Sequence, residues 1–360
     1  MDPNAKAFLF DLLRTASPTG FELPGQRKWA AYVRPFADRV ENDAYGNTWA
    51  TLDGRAAKPR RVMLEAHADE IGFMVKHIQK EGFLRLDRVG GSDTANARGR
   101  RIDILADRGV VRGIIGNTAI HLRKDGLTDE KAPKIHELYV DVGASNPEEV
   151  HALGIRIGHP AVYADGVEEF GNGRIAGRAL DNRIGGFIIA QVLENLSHHR
   201  ETLLSSVMAV NAVQEEVGGH GAKMVAHRLE PEVCVVLDVT HATDTPGIEH
   251  AIHGEVKLGG GPSITHGICN HPQVVARLVE CAERLGIPVQ HESSTRYGGT
   301  DTDVIFHVRS GIPSALVSLP LRYMHSVVEV ADLADVEKVI ALLTAFVESV
   351  GEGDDFAAKL

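Results

Sequence analysis

The chain has 360 residues, 43% of them hydrophobic, with 38 Lys and Arg against 49 Asp and Glu and a formal net charge of −11. No apolar run approaches the roughly 18 residues that a membrane helix needs, and the negative charge repels nucleic acid, so no membrane and no nucleic-acid partner is expected. The length predicts two domains or one large domain with an insertion. Cys234, Cys269 and Cys281, odd in number and without CxxC spacing, argue against a disulfide framework. Together with an N-terminus lacking an export signal, they predict a cytoplasmic protein.

In chain order, Trp29, Val33, Phe36 and Val40 fall at helical spacing over residues 26–40, and Arg61 to His67 reads as a strand. From 74 to 165 the texture changes to short β-rich runs, Phe83–Leu86, Arg101–Leu105, Val110–Ile115 and Leu138–Val142, between Gly and charged turns. These predict an inserted β-rich domain over 74–165, splitting a catalytic α/β domain into 1–73 and 166–360. The α/β texture returns with a helix Ile184–Leu196, strands Ser206–Val213, Val233–Leu237 and Ser314–Leu319, and a helix Pro272–Leu285. A final amphipathic helix has Val336, Val339, Ile340, Leu343, Phe346, Val347 and Val350 on one face. This alternation predicts an α/β fold with a mixed, mainly parallel sheet flanked by helices.

Ligand-type side chains fall at the ends of these elements. His67-Ala68-Asp69 ends one strand, Gln214-Glu215-Glu216 a second and Asp238 a third, His325 follows a fourth, and Asp181 precedes a helix. In open α/β sheets such ends converge on one crevice. Imidazoles and carboxylates suit zinc or cobalt, with manganese possible, and five ligands exceed what one tetrahedral ion uses, which predicts two ions sharing a carboxylate. Val217-Gly218-Gly219 supplies a turn that lets Glu216 bind metal while Glu215, as general base, takes a proton from the metal-bridging water, leaving the bridging hydroxide, and delivers it to the leaving amine. Asp69 would orient His67. A lone His-x-Asp or strand-end Asp is by itself more often surface or turn chemistry; the joint placement carries the argument.

At these residues the chain resembles the tetrahedral aminopeptidases, the TET or glutamyl aminopeptidase family, some members of which are labelled cellulase M or endoglucanase. The similarity covers almost the whole chain. It includes Ser17-Pro18-Thr19-Gly20-Phe21-Glu22, His67-Ala68-Asp69-Glu70-Ile71-Gly72, Gly177-Arg178-Ala179-Leu180-Asp181-Asn182-Arg183, Gln214-Glu215-Glu216-Val217-Gly218, Gly298-Gly299-Thr300-Asp301 and Arg322-Tyr323-Met324-His325-Ser326. The resemblance implies a dinuclear metallo-aminopeptidase in which His67 and Asp238 bind one ion, Glu216 and His325 the other, and Asp181 bridges. It implies that Glu215 is the base and that Asp69 stands behind His67. It further implies that the β-rich insertion is a barrel-like dimerisation domain, that six dimers form a tetrahedral dodecamer, and that peptides are the substrates. In the insertion, Gly116-Asn117-Thr118-Ala119-Ile120-His121 departs from the family's Lys-Pro-Pro-His run.

The nearest alternative is a metal-dependent deacylase or amidohydrolase of small N-acylated amino acids, which would need the same groups. Glucan hydrolysis needs two carboxyls about 5–9.5 Å apart and no metal, for which Glu215 and Glu216 are poor candidates. An inactive shell would be expected to have lost ligands. Asp301 is expected to be structural, and Gly259-Gly260-Gly261-Pro262 to line the substrate cleft as backbone.

Overall fold

The computed structural model of the protein describes residues 1–122 and 131–358. A first helix, Pro3–Arg14, begins where Asp2 caps the Asn4 N–H and proline occupies the first turn, and it buries Ala5, Phe8, Leu9, Leu12 and Leu13. This i, i+3, i+4, i+7 pattern was present in the sequence but not read there. The next helix, Leu23–Val33, buries Trp29 and Val33 as expected but ends earlier than residue 40. Pro35, which has no N–H to give, falls in a 3-10 turn over Arg34–Phe36, and Val40 belongs to a strand.

Among the described residues, seventeen strands follow in chain order. The first three are β1 (Arg39–Asn42), β2 (Thr48–Leu52) and β3 (Arg61–His67). The inserted strands are β4 (Gly72–Ile78), β5 (Leu84–Val89), β6 (Arg101–Ala106), β7 (Gly109–Ile115), β8 (Tyr139–Asp141) and β9 (Pro160–Tyr163). Then come β10 (Glu168–Phe170), β11 (Arg174–Gly177), β12 (Ser206–Ala212), β13 (Val233–His241), β14 (Ser263–Gly267), β15 (Gln290–Ser294), β16 (Ser314–Leu321) and β17 (Glu329–Asp332).

Eight of these form one mixed sheet in the order β1-β2-β12-β3-β13-β16-β14-β15. Its centre, β12, β3, β13 and β16, is parallel. Every residue of β12 and β16 is buried, which is why they read as largely apolar runs broken only by Ser206, Asn211, Ser314 and Ser318. Alternate side chains go to opposite layers. Val62, Leu64, Val207, Val235 and Val317 meet the long helices Leu180–His198 and Leu333–Ser349 on one face, and Met63, Met208, Val210, Val236 and Leu316 meet Ala222 and Val225 on the other. The mainly parallel α/β sheet expected from the sequence is therefore observed.

The inserted strands close into a barrel in the order β4-β5-β8-β7-β6-β9, with neighbours antiparallel. Phe73, Val75, Leu84, Ile102, Ile104, Val140 and Tyr163 fill it. The β-rich runs of the sequence mark four of these strands; β4 and β9, which pair and complete the closure, were not among them. A small sheet, β10-β11-β17, joins two strands that follow the barrel in sequence to the strand that leads into the last helix. Among the described residues no helix is long and apolar enough to cross a membrane.

Candidate metal centre

The site forms at the carboxyl edge of the four parallel strands. His67 is level with Ala212 of β12, and since Glu65 pairs with Val236, Asp238 lies level with His67 on the adjacent strand. Counting by twos from Met63 and Val236 places both side chains on the same sheet face. Asp238 was expected to end its strand, but β13 runs on to His241 because Val239, Thr240 and His241 keep pairing with Leu319, Pro320 and Leu321.

Asp181 comes from the start of the Leu180–His198 helix, where Asp181 and Asn182 depart from helical angles. Asn182 Nδ2 donates to the Leu237 carbonyl at 2.8 Å, tying this turn to β13. Glu215 and Glu216 lie in a 3-10 turn, Glu215–Val217. The expected turn at 217–219 thus begins earlier: β12 stops at Ala212 and Gln214 adopts a φ of 62°. His325 sits in the loop after β16 with a φ of 60°.

The resulting geometry has two halves. His67, Asp181 and Asp238 form one group of potential ligands, and Asp181, Glu216 and His325 form another, with the ligand atoms of each within 4.8 Å of one another. Asp181 belongs to both. Its Oδ1 is 3.2 Å from His67 Nε2 and its Oδ2 is 3.2 Å from His325 Nε2. Asp238 Oδ1 is 3.7 Å from His67 Nε2, and Glu216 Oε2 is 3.5 Å from His325 Nε2. Glu215 stays outside both groups, its Oε2 3.9 Å from His67 Nε2. All seven side chains singled out in the sequence are therefore brought to one place.

Two buried carboxylates hold this arrangement. Asp69 lies beside the His67 ring, with Nδ1 3.4 Å from its carboxylate and 3.2 Å from its carbonyl. Its two oxygens also accept from the Glu215 N–H (3.0 Å), the Glu216 N–H (3.2 Å) and the Thr19 hydroxyl (2.8 Å). Glu329 does the same on the other side, accepting from the Asp181 N–H (3.2 Å) and the His325 N–H (2.8 Å). Sequence reasoning missed Glu329; its one signal was an acid within the apolar run Val327-Val328-Glu329-Val330-Ala331. It also missed Gly91, where a Cβ would come within 2.6 Å of His325 Nδ1.

The electrostatics call for cations. Burial, reinforced by Asp238, Asp301 and Asp181, pushes the Glu215 carboxyl up to about 10. Burial and Asp181 raise Glu216 well above the carboxylate range. Burial would raise Asp181 too, but hydrogen bonds with His325 and His67 hold it low. Glu216 Oε1 is buried without a hydrogen-bond partner. An orphaned carboxylate oxygen beside two imidazoles and two further carboxylates fits divalent transition-metal ions. Asp301, 1% exposed, belongs to neither ligand group; burial and the nearby Glu65 push its carboxyl up, and burial pushes Glu65 up to about 8.

A cleft of about 810 Å³ opens over these groups, with Thr240, Tyr297, Gly299 and Met324 in its walls. Gly259, Gly260 and Gly261 do not line it, contrary to expectation. Asp335 holds the Gly259 and Gly261 N–H groups at 2.6 and 2.9 Å, anchoring that loop to the last helix instead.

Known proteins match this architecture. The chain is 34% identical to the lysyl aminopeptidase of Pyrococcus furiosus over 340 residues, 94% of this chain and 95% of that protein. The TET aminopeptidase of a marine sediment Thaumarchaeota archaeon superposes with a TM-score of 0.91 at 30% identity, covering 97% of each chain. A Pyrococcus horikoshii TET1 peptidase that can assemble into a tetrahedron or a large octahedral shell superposes with a TM-score of 0.85 at 28% identity, covering 96% of this chain and 100% of that one. A family model described as M42 glutamyl aminopeptidase matches residues 46–342, and the chain belongs to that family of peptide hydrolases.

Proposed function

We propose that the chain removes N-terminal residues from peptides with the aid of two divalent metal ions. The observation that carries this reading is Asp181, whose two oxygens each face a different histidine at 3.2 Å. His67 and Asp238 would hold one ion, Glu216 and His325 the other, and Asp181 both. Zinc or cobalt suits this set, with manganese possible. The ions would supply Lewis acidity toward the scissile carbonyl and the attacking water. Glu215, close to His67 but outside both groups, takes the water's proton and delivers it to the leaving amine. Asp69 fixes the His67 ring and the Glu215-Glu216 turn together. The named relatives are aminopeptidases, which leaves the deacylase alternative without support.

The domain division at 74–165 and a dimerisation role for the barrel belong to the same reading, as does a tetrahedral dodecamer. They are supported by the shell-forming relative and by exposed Val110 and Ile114 on β7. Three buried free cysteines fit a cytoplasmic location.

A panel of unblocked aminoacyl-p-nitroanilides beside their N-acetyl counterparts tests the activity. Cleavage confined to free-amine substrates, lowered about 10²–10⁴-fold in Glu215→Gln at unchanged metal content, is expected. Cleavage of the acetylated series, or full activity in the variant, would overturn the reading.

A further inference from the structure

Beside the catalytic cleft lies a second groove of about 770 Å³. One wall is the helix His220–Leu229, whose sequence His-Gly-Ala-Lys-Met-Val-Ala-His-Arg-Leu contains no acid. Gly221, Ala222, Val225 and Ala226 of this helix are buried. His220, Lys223, Met224 and His227, at i, i+3, i+4 and i+7, therefore share the face that lines the groove. Tyr45 and His307 complete it. In a chain of net charge −11 the residues lining this groove include Lys223 and Arg309 and no acid. Arg309, at its rim, is paired with Glu230 at 2.6 Å, but among the described residues no carboxylate lies within salt-bridge distance of Lys223, and Lys223 is exposed.

The groove joins the catalytic cleft. His307 lines both, and Gln214, in the groove wall, directly precedes Glu215. Resting on the reading above, Glu215 marks the side from which the leaving amine departs, so the groove begins where the product peptide begins. We propose that it holds the substrate residues that follow the scissile bond, and that Lys223 selects carboxylates there. Met224 and the exposed Tyr45 ring offer apolar surface to the peptide stem, while the ammonium group supplies the charge preference. A carboxylate could come from an acidic side chain or from the free C-terminus of a short peptide.

Tetrapeptides headed by the residue best cleaved in the nitroanilide panel separate these sources. One carries Glu at positions three and four with an amidated end, one carries Gln there with an amidated end, and one carries Gln with a free C-terminus. The two carboxylate-bearing sources are compared by kcat/KM with the neutral amide, in low salt and in about 0.5 M salt, where exposed charges are screened. At least one is expected to exceed the neutral amide by about three- to fivefold in low salt. That ratio should fall to about one in Lys223→Gln and below one in Lys223→Glu. Equal rates in the unmodified enzyme, or ratios untouched by both substitutions, would overturn the proposal, whereas nitroanilide cleavage would still uphold the aminopeptidase. If no nitroanilide is cleaved, that reading has failed on its own. Calorimetric binding of the same three peptides, with the same ordering required, then decides the groove.

Discussion

Asp69 and Glu329 each spend both carboxylate oxygens on backbone N–H groups of residues that carry site side chains. The chemistry-bearing side chains thus rest on backbone that is itself clamped, and position is fixed before any ion binds. Glu329→Gln keeps the shape but leaves one of the two N–H groups facing an amide NH₂. Metal affinity is expected to fall about 10–100-fold, read by calorimetry against a chelator of known affinity, with the circular dichroism spectrum retained. Unchanged affinity would show that Glu329 serves the fold alone. The motif Ser17 to Glu22 acts at this scale too. Thr19 donates to Asp69, and the Ser17 N–H donates to Glu70 at 2.8 Å, with Arg178 paired to the same buried Glu70.

At the scale of elements, turns and loops decide where the strands deliver their side chains. The Gly259–Gly261 loop illustrates this. Its two N–H groups depend on one fully buried acid, Asp335, in the first turn of the last helix, whose Oδ1 also accepts from Lys338 Nζ at 3.0 Å. Asp335→Ala strands both donors, and a loss of about 2–5 kcal/mol in unfolding free energy is expected from urea titration. Activity at saturating metal should be affected far less, since the loop does not line the cleft. The helix Leu333–Ser349 itself was legible: Val336, Val339, Leu343, Phe346 and Val347 are buried as their spacing requires, and Ile340 packs against the same core. The overlong helix at 26–40 shows the limit, because apolar spacing across Pro35 joined a helix and a strand that the backbone separates.

For the whole molecule, the crowded carboxylates are expected to make stability depend on cations. Asp238, Glu215 and Glu216 meet around Asp181 in a buried space where burial and mutual repulsion oppose their charge. Ions that bind only the folded state stabilise it by about 2.7 kcal/mol at a hundredfold excess over Kd. Chelation is therefore expected to lower the melting temperature, and zinc or cobalt to restore it in a concentration-dependent way. A melting curve indifferent to both would contradict the two-ion reading. The barrel presents Val110 and Ile114 on one strand, 63% and 54% exposed. Under the proposed assembly, Ile114→Asp is expected to lower the mass seen in light scattering toward that of single chains while leaving the barrel core intact, since that side chain faces outward.

By itself the sequence determined the alternation of buried strands and amphipathic helices and the identity of the seven side chains that meet at the site. Those follow from local periodicity and residue chemistry, which short windows encode. Tertiary structure alone decided the rest. The level of Asp238 comes from parallel register with β3, not from a strand end. The closure of the barrel comes from β4 meeting β9 across about ninety residues. The splitting of the Asp181 oxygens between two histidines, the clamp by Glu329 and the cationic groove beside Glu215 depend on contacts between distant segments. No local pattern specifies such contacts, because each is set by the packing of elements far apart in the chain.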